Sequence, residues 1–151
     1  MNIERVDLTP RTLIGVRAVV RMDELTEYFG PALDGVYNEL DEHGVQIFGP
    51  PIAVYRGEIT DTADLTVGFP VADLATPRSG SIAVTLPGGP AVAALAVGPY
   101  DLLGAAHAEV LGWLAEHDLT PAGFLWEEYL VGPGDSEDPA AWQTKLVYPL
   151  S

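Results

Sequence analysis

Two stretches of the chain share one pattern: YNELDEHGVQIFGPPIAVYRG at residues 37–57 and LGWLAEHDLTPAGFLWEEYLVG at residues 111–132. Aligned without a gap at an offset of 74, they agree at a helix end, at a glycine and at a strand tyrosine. The matched pairs are Leu40 and Leu114, Glu42 and Glu116, His43 and His117, Gly49 and Gly123, and Tyr55 and Tyr129. Agreement at a fixed offset indicates an internal duplication.

The pattern of apolar residues around each stretch gives the same order of elements twice. Apolar residues at three- and four-residue steps from Leu25 to Leu40 predict a helix, with Asp23 as N-cap and Gly44 as stop. A second helix is expected over residues 101–117, with an apolar stripe at Leu103, Ala106, Val110, Trp113 and Leu114. Strands are predicted at residues 13–20, 52–59, 65–71, 82–86, 91–97, 124–131 and 142–150.

This order predicts an α+β fold made of tandem strand-helix-strand-strand units related by a pseudo-two-fold axis. We expect one domain over residues 1–151, with half-repeats at about 1–74 and 80–151 and a linker at 75–80. Because each half contributes one wall, the groove between the repeats is the expected ligand site.

The composition restricts the classes of function. The chain has 151 residues, no cysteine and a formal net charge of −15, so disulfides, thiolate chemistry and cysteine-bound metals are excluded. The negative charge repels phosphate backbones and anionic lipid, and we expect neither direct nucleic-acid binding nor membrane binding. The sequence shows no secretory signal and no long apolar run, which predicts a soluble cytoplasmic protein. Acidity that serves only solubility is the simpler explanation of the charge.

Residues 123–133, GFLWEEYLVGP, combine apolar residues on both strand faces with two adjacent glutamates. Strand alternation places Glu127 with Tyr129 on one face and Glu128 with Trp126 on the other, with Glu128 emerging at a sheet edge. A carboxylate among aromatic rings needs a hydrogen-bond donor or a cationic ligand, and tyrosine hydroxyls are suitable donors. The alternative is that both glutamates are exposed, or that one pairs with Arg56 or Arg17.

Other familiar motifs are missing. His43 and His117 are expected at helix ends and His107 within an alanine-rich helical turn, without the spacing of a metal site. The serines lack the Gly-x-Ser-x-Gly elbow, and PGGP at residues 87–90 lacks the Lys-Ser/Thr of a phosphate loop. We therefore expect neither a metal nor a cofactor.

The chain resembles the GyrI-like small-molecule-binding domains. WEEYLVGP at residues 126–133 and QTKLVYPL at residues 143–150 are similar to the family's C-terminal strands, VAALAVGPYDLLGAAHAEVLGWLAEHDL at 92–119 is similar to its strand, turn and helix, and GPPIAVYRGE at 49–58 is similar to its first-half strand. The resemblance implies a groove between two repeats that binds drugs and other organic effectors, often cationic or aromatic. The same domain is the effector-binding part of AraC-type and MerR-type transcription activators, and we expect this chain to be a stand-alone version without a helix-turn-helix segment.

The resemblance also implies roles for particular residues. The family's pocket glutamate falls on Glu127, two residues before Tyr129 and six before Pro133, and its aromatic positions fall on Tyr55, Tyr100, Trp113 and Tyr129. Trp113 is expected in the core. The predicted ligand-binding residues are Glu127, Tyr55, Tyr129, Tyr100, Trp142 and Phe69.

Three functions follow from this interpretation. The first is a protein that binds a hydrophobic small organic molecule, cationic in many cases, with Glu127 as counter-charge. The second is a hydrolase of cyclopropane-bearing toxic natural products in which Glu127 is the general acid or base and Tyr129 assists. The third is an acidic inhibitor that binds a basic protein. The sequence leaves the ligand and the oligomeric state open.

Overall fold

The computed structural model describes residues 1–72, 75–77 and 80–151 and confirms the α+β class. The chain divides into two compact units, which we call the N-terminal unit, Thr9–Gly88, and the C-terminal unit, Met1–Leu8 with Gly89–Ser151. The predicted linker and the end of the first half-repeat fall partly outside the described residues. The half-repeats themselves stay a prediction about the sequence.

In its described residues, the N-terminal unit has four antiparallel strands and one α-helix. The strands follow the spatial order β3-β4-β2-β5. The elements are β2 (Arg11–Arg21), α1 (Leu25–Glu42), β3 (Ile52–Arg56), β4 (Thr62–Val71) and β5 (Ile82–Leu86). Helix α1 packs its apolar face on the sheet through a cluster of Ile14, Val36, Leu40 and Val71. Burial of such side chains stabilises the unit by roughly 1.5–3 kcal/mol each.

The C-terminal unit has the same composition of elements. Its strands follow the spatial order β1-β6-β8-β7 and are antiparallel. The elements are β1 (Ile3–Leu8), β6 (Gly89–Val97), α2 (Leu103–Glu116), β7 (Phe124–Val131) and β8 (Gln143–Pro149). The face of the sheet below α2 holds a second buried cluster of Val92, Ala94, Val110, Leu114, Leu146 and Tyr148.

The two helices end in the same way. His43 and His117 are the C-cap residues, and each is followed by a residue with positive φ, Gly44 at 65° and Asp118 at 54°. A left-handed residue after the cap is a common helix ending that satisfies the last carbonyl groups. The expected positions of these two histidines at helix ends are therefore confirmed.

Several predicted boundaries differ from the structure. Asp23 does not cap α1, because it lies in a short 3-10 turn, Met22–Glu24, and accepts a hydrogen bond from Arg21 at 2.8 Å. The second helix likewise begins with a 3-10 turn, Tyr100–Leu102, so its α-helical part is shorter than expected. Strand β3 ends at Arg56, where Gly57 turns the chain with φ 69°, instead of continuing to residue 59.

Strand β1 was not predicted. It is the first strand in the spatial order of the C-terminal unit and pairs with β6. Neither helix of the described residues combines the length and the apolar character needed to cross a membrane.

Candidate functional site

The candidate site is centred on Glu127 in β7. The side chains of Glu127 and Tyr129 point to the same face, since Tyr129 Oη donates to Glu127 Oε1 at 2.5 Å. Glu127 lies opposite Leu146 in the register with β8, which places it on the face that α2 covers. Glu127 is 5% exposed, so its carboxylate is buried.

Helix α2 supplies the second partner of this carboxylate. His107 lies between Leu103 and Val110 on the buried stripe of the helix, and its Nε2 is 2.7 Å from Glu127 Oε2. The other ring nitrogen, Nδ1, is 2.6 Å from the hydroxyl of Tyr148 in β8. A buried carboxylate is stable only when it is paired or hydrogen-bonded, and these contacts meet that need.

An aromatic group adjoins this network. Tyr100, in the 3-10 turn before α2, contacts the ring of Tyr129 edge-on at 5.8 Å between centroids and the ring of Trp142 at 4.8 Å. Trp142 is held by a hydrogen bond of 2.9 Å from its Nε1 to the Ser136 carbonyl. The structure thus brings Glu127, Tyr129, Tyr100 and Trp142 together within one unit.

Tyr100 and Tyr148, two tyrosines near Glu127, keep their protons. Burial raises the pKa of Tyr100, and the negative charges of Glu127 and Asp135 raise it further. Burial is also the main cause that raises the pKa of Tyr148, with the charge of Glu127 as a second cause. Both hydroxyls therefore remain available as hydrogen-bond donors at neutral pH.

Tyr55 and Phe69, the two other predicted ligand-binding residues, belong to the N-terminal unit. Tyr55 is buried in β3. Phe69 in β4 is half-buried, packs against the cluster below α1 and contacts the ring of Tyr37 edge-on at 6.1 Å. Their part in a ligand site stays a prediction.

The expectation that Glu128 emerges at a sheet edge is wrong. Glu128 is 7% exposed and accepts a hydrogen bond of 3.1 Å from the indole Nε1 of Trp126, which lies two residues before it on the same face. The alternative of two exposed glutamates is wrong for the same reason, and Arg17 instead forms a bidentate pair with Asp64 at 2.9 and 2.7 Å.

His107 and Tyr148 were not predicted as parts of the site. His107 was interpreted as a residue of an alanine-rich turn, yet its spacing from Leu103, Val110 and Leu114 puts it on the buried stripe of α2. Tyr148 lies on the same face of β8 as Thr144 and Leu146, and Leu146 is the register partner of Glu127. Both signals were present in the sequence, but they pointed to the site only once the pairing of β7 with β8 was known.

Trp113 and His117 contact each other at the C-terminal end of α2. Trp113 packs at the margin of the cluster below α2, and its ring stacks on that of His117 at 3.9 Å. His117 Nδ1 donates to the Trp113 carbonyl at 2.8 Å. Within the described residues, no group of three or more histidines and carboxylates has the arrangement of a metal site.

The model of one protein family, the GyrI-like small-molecule-binding domain, matches residues 1–151. The chain belongs to this family. No match was found among curated proteins.

Several solved structures have the same fold as this chain. The C-terminal domain of EcmrR is 18% identical with a TM-score of 0.87, covering 99% of this chain and 97% of the domain. The chain spans 57% of the EcmrR protein in its complex with DNA. A hydrolase from Listeria innocua is 16% identical with a TM-score of 0.72, covering 99% and 91%. SAV2435 bound to tetraphenylphosphonium is 14% identical with a TM-score of 0.69, covering 100% and 94%. At these identities the similarity establishes the fold alone.

Proposed function

We propose that this domain binds a hydrophobic organic cation, with the Glu127 carboxylate as its counter-charge. The ligand would lie in the groove predicted between the repeats, with Tyr129, Tyr100 and Trp142 as one wall and Tyr55 and Phe69 contributed by the first repeat. The net charge of −15 favours a cationic ligand and disfavours direct contact with nucleic acid.

The buried carboxylate of Glu127 carries this proposal. Within the described residues it accepts two hydrogen bonds, one at each oxygen, whereas a carboxylate offers about four acceptor sites. It keeps capacity for a further partner while its position is fixed by Tyr129 and His107. A cation bound beside Glu127 is attracted to its carboxylate, and this attraction is stronger in a low-dielectric site than in water.

The aromatic rings add to the attraction of a delocalised cation. Tyr100 and Trp142 lie with their centroids 4.8 Å apart, and an aromatic face contributes roughly 0.5–2 kcal/mol to each cation contact. The tetraphenylphosphonium complex of SAV2435, a protein with the same fold, supports a ligand of this chemistry.

Replacement of Glu127 by glutamine tests the proposal. Calorimetric titration with tetraphenylphosphonium should show an affinity about 10- to 100-fold lower for Glu127→Gln, because an interaction with a buried charge is worth about 1.5–3 kcal/mol. Glu128→Gln is the matched control, since it removes the neighbouring buried carboxylate on the other strand face. Equal affinities of the wild type and Glu127→Gln, with both proteins folded by circular dichroism, would refute the counter-charge role.

A hydrolase is the second candidate, favoured by the 2.5 Å hydrogen bond between Tyr129 and Glu127. In this reaction Glu127 takes a proton from water, whose oxygen bonds to a carbon of the cyclopropane ring of the substrate. The electron pair of the broken C–C bond passes into the substrate and is protonated by Tyr129. The name of the Listeria innocua neighbour agrees with such chemistry.

Product analysis separates the two functions. A hydrolase should convert many equivalents of a cyclopropane-bearing electrophile. Glu127→Gln should lower the turnover rate by about 100-fold or more while the substrate still binds. Tyr129→Phe should lower the rate as well. Capture of one equivalent without product would leave only the binding function.

A further inference from the structure

Four side chains of the C-terminal unit form one continuous hydrogen-bonded chain. It runs from Tyr148 Oη to His107 Nδ1 at 2.6 Å, from His107 Nε2 to Glu127 Oε2 at 2.7 Å, and from Glu127 Oε1 to Tyr129 Oη at 2.5 Å. The members come from β8, α2 and β7, so the array joins three elements. The proposed function uses Glu127 and Tyr129 and leaves the other half of the array without a role.

The hydrogens of this array can be counted. An ionised carboxylate only accepts, so both Tyr129 and His107 Nε2 donate to Glu127. A neutral imidazole that carries its hydrogen on Nε2 has an acceptor at Nδ1, and the Tyr148 hydroxyl then donates to it. In this state every donor of the array has one acceptor.

Protonation of His107 leaves one hydrogen of the array without an acceptor. Nδ1 then carries a hydrogen, so Tyr148 has to become the acceptor and point its own hydrogen elsewhere. Within residues 1–72, 75–77 and 80–151 the Tyr148 hydroxyl has no other hydrogen-bond partner, and the residue is 3% exposed. A buried hydroxyl hydrogen without an acceptor is costly, so Tyr148 favours the neutral imidazole.

The charge of the site depends on the same proton. The titratable groups around His107 are Glu127 and Tyr129 on β7 and Tyr148 on β8, with Tyr100 next to Tyr129 in the turn before α2. Strand β6 contributes the uncharged Val92 and Ala94 to the cluster below the helix. With these tyrosines protonated, the array carries one negative charge when the imidazole is neutral and none when it is protonated.

We propose that His107 selects the charge of the ligand that the Glu127 site accepts. With a neutral imidazole the site takes a hydrophobic cation, and with an imidazolium it loses that preference and accepts an uncharged aromatic ligand equally well. Tyr148 is the positioning residue that holds His107 in the cation-accepting state. This inference rests on the proposed function and adds to it a dependence on pH.

A pair of probes with similar aryl groups tests the selection. Tetraphenylphosphonium is the cation and triphenylphosphine oxide the uncharged analogue, and both are titrated calorimetrically at pH 8.0 and pH 5.5. Histidine changes its charge across this range. The wild-type affinity for the cation should fall at least about fivefold at the lower pH, the small end of ordinary coupling between two sites. The affinity for the oxide should stay the same.

Three variants assign the effect to a residue. His107→Gln keeps the Glu127 carboxylate and removes the imidazole, so it should bind the cation equally well at both pH values. His117→Gln removes an exposed histidine of the same unit and should behave like the wild type. Tyr148→Phe removes the donor to Nδ1, so the affinity for the cation should begin to fall at a higher pH than in the wild type.

Proton release gives a second measurement. By reciprocity, cation binding to a site with a protonated His107 should expel that proton, measured at pH 6 as a binding enthalpy that changes with the ionisation enthalpy of the buffer. The release should be missing in His107→Gln.

The outcomes separate the two proposals. Equal wild-type affinity for the cation at both pH values, or an undiminished fall in His107→Gln, overturns the role of His107 and leaves the binding function standing. If His107→Gln does not fold, an unchanged pH profile in Tyr148→Phe overturns it. Failure of the wild type to bind the cation at either pH overturns both.

Discussion

Gly132 has no side chain, and the hydroxyl of Tyr100 lies in the space where a Cβ atom would be. A Cβ atom at this glycine would lie 2.9 Å from Tyr100 Oη, which is closer than carbon and oxygen approach without a bond. The obstructing atom is the far end of a side chain, so Tyr100 can move away from it. At the scale of single residues, this glycine sets where the aromatic wall of the candidate site stands.

Gly132→Ala should therefore weaken ligand binding more than it weakens the fold. We expect the affinity for tetraphenylphosphonium to fall about three- to tenfold as Tyr100 leaves Trp142, with a loss of at most about 1 kcal/mol in the free energy of unfolding. Gly134→Ala is the control, because no atom lies within 4 Å of its added Cβ. Calorimetry measures the affinity, and urea unfolding measures the free energy of unfolding. An affinity unchanged in Gly132→Ala would contradict a contact between Tyr100 and the ligand.

Sequence reasoning resolved the two glutamates at this scale only in part. Strand alternation predicted correctly that Glu127 and Tyr129 share a face, because successive side chains of a strand alternate whatever the tertiary structure. It could not predict that Glu128 is buried, since burial depends on what covers each face. His107 was missed for a related reason: a histidine on an apolar stripe gains meaning only from the strand residues opposite it.

At the scale of elements, the pairing of β2 with β4 depends on two glycines that face each other. Gly15 and Gly68 are register partners, and an added Cβ would lie 2.3 Å from the Val67 carbonyl oxygen or 2.0 Å from that of Ile14, respectively. Both obstructing atoms belong to the backbone, which cannot move without disturbing the ladder. The two strands approach each other here because neither residue has a side chain.

Gly68→Ala should strongly destabilise the fold. We expect a loss of at least about 2 kcal/mol in the free energy of unfolding, from strain and displaced strand hydrogen bonds. Gly35→Ala in α1 meets no atom within 4 Å and should stabilise the protein by about 0.5–1 kcal/mol through better helix propensity. Urea unfolding compares both with the wild type, and a Gly68→Ala protein within about 0.5 kcal/mol of the wild type would contradict the close approach.

The elements were predictable where their side chains repeat regularly. The stripe from Leu25 to Leu40 predicted α1, and residues 124–131 coincide with β7 as it is found. Strand β1 has the burial pattern of a strand that alternates poorly, with Glu4 and Arg5 both exposed, so its sequence gave no clear period. The sequence pattern does not distinguish the 3-10 turns before both helices from the first turn of an α-helix, since 3-10 turns are frequent at helix N-termini.

At the scale of the whole molecule, the family establishes a small-molecule-binding domain, and the net charge favours the cation that we propose as its ligand. The fold and the family could be predicted because the motifs extend over nearly the whole chain, and the family model confirms them over residues 1–151. The ligand could not be predicted, since one fold can serve many functions and the ligand is set by the particular side chains of the site. The excess of 22 Asp and Glu over 7 Lys and Arg adds a long-range attraction for cations that salt will screen.

The division of the chain between its two units has a consequence for the order in which they are made. All four strands described for the N-terminal unit lie within Thr9–Gly88, one continuous stretch. The C-terminal unit draws β1 from the beginning of the chain and pairs it with β6, which is synthesised about 80 residues later. Since domains of a growing chain fold from the N-terminal side, the four strands described for the N-terminal unit leave the ribosome while β1 still lacks its partner β6. Assembly of the Glu127 site therefore comes after the sheet of the N-terminal unit has formed.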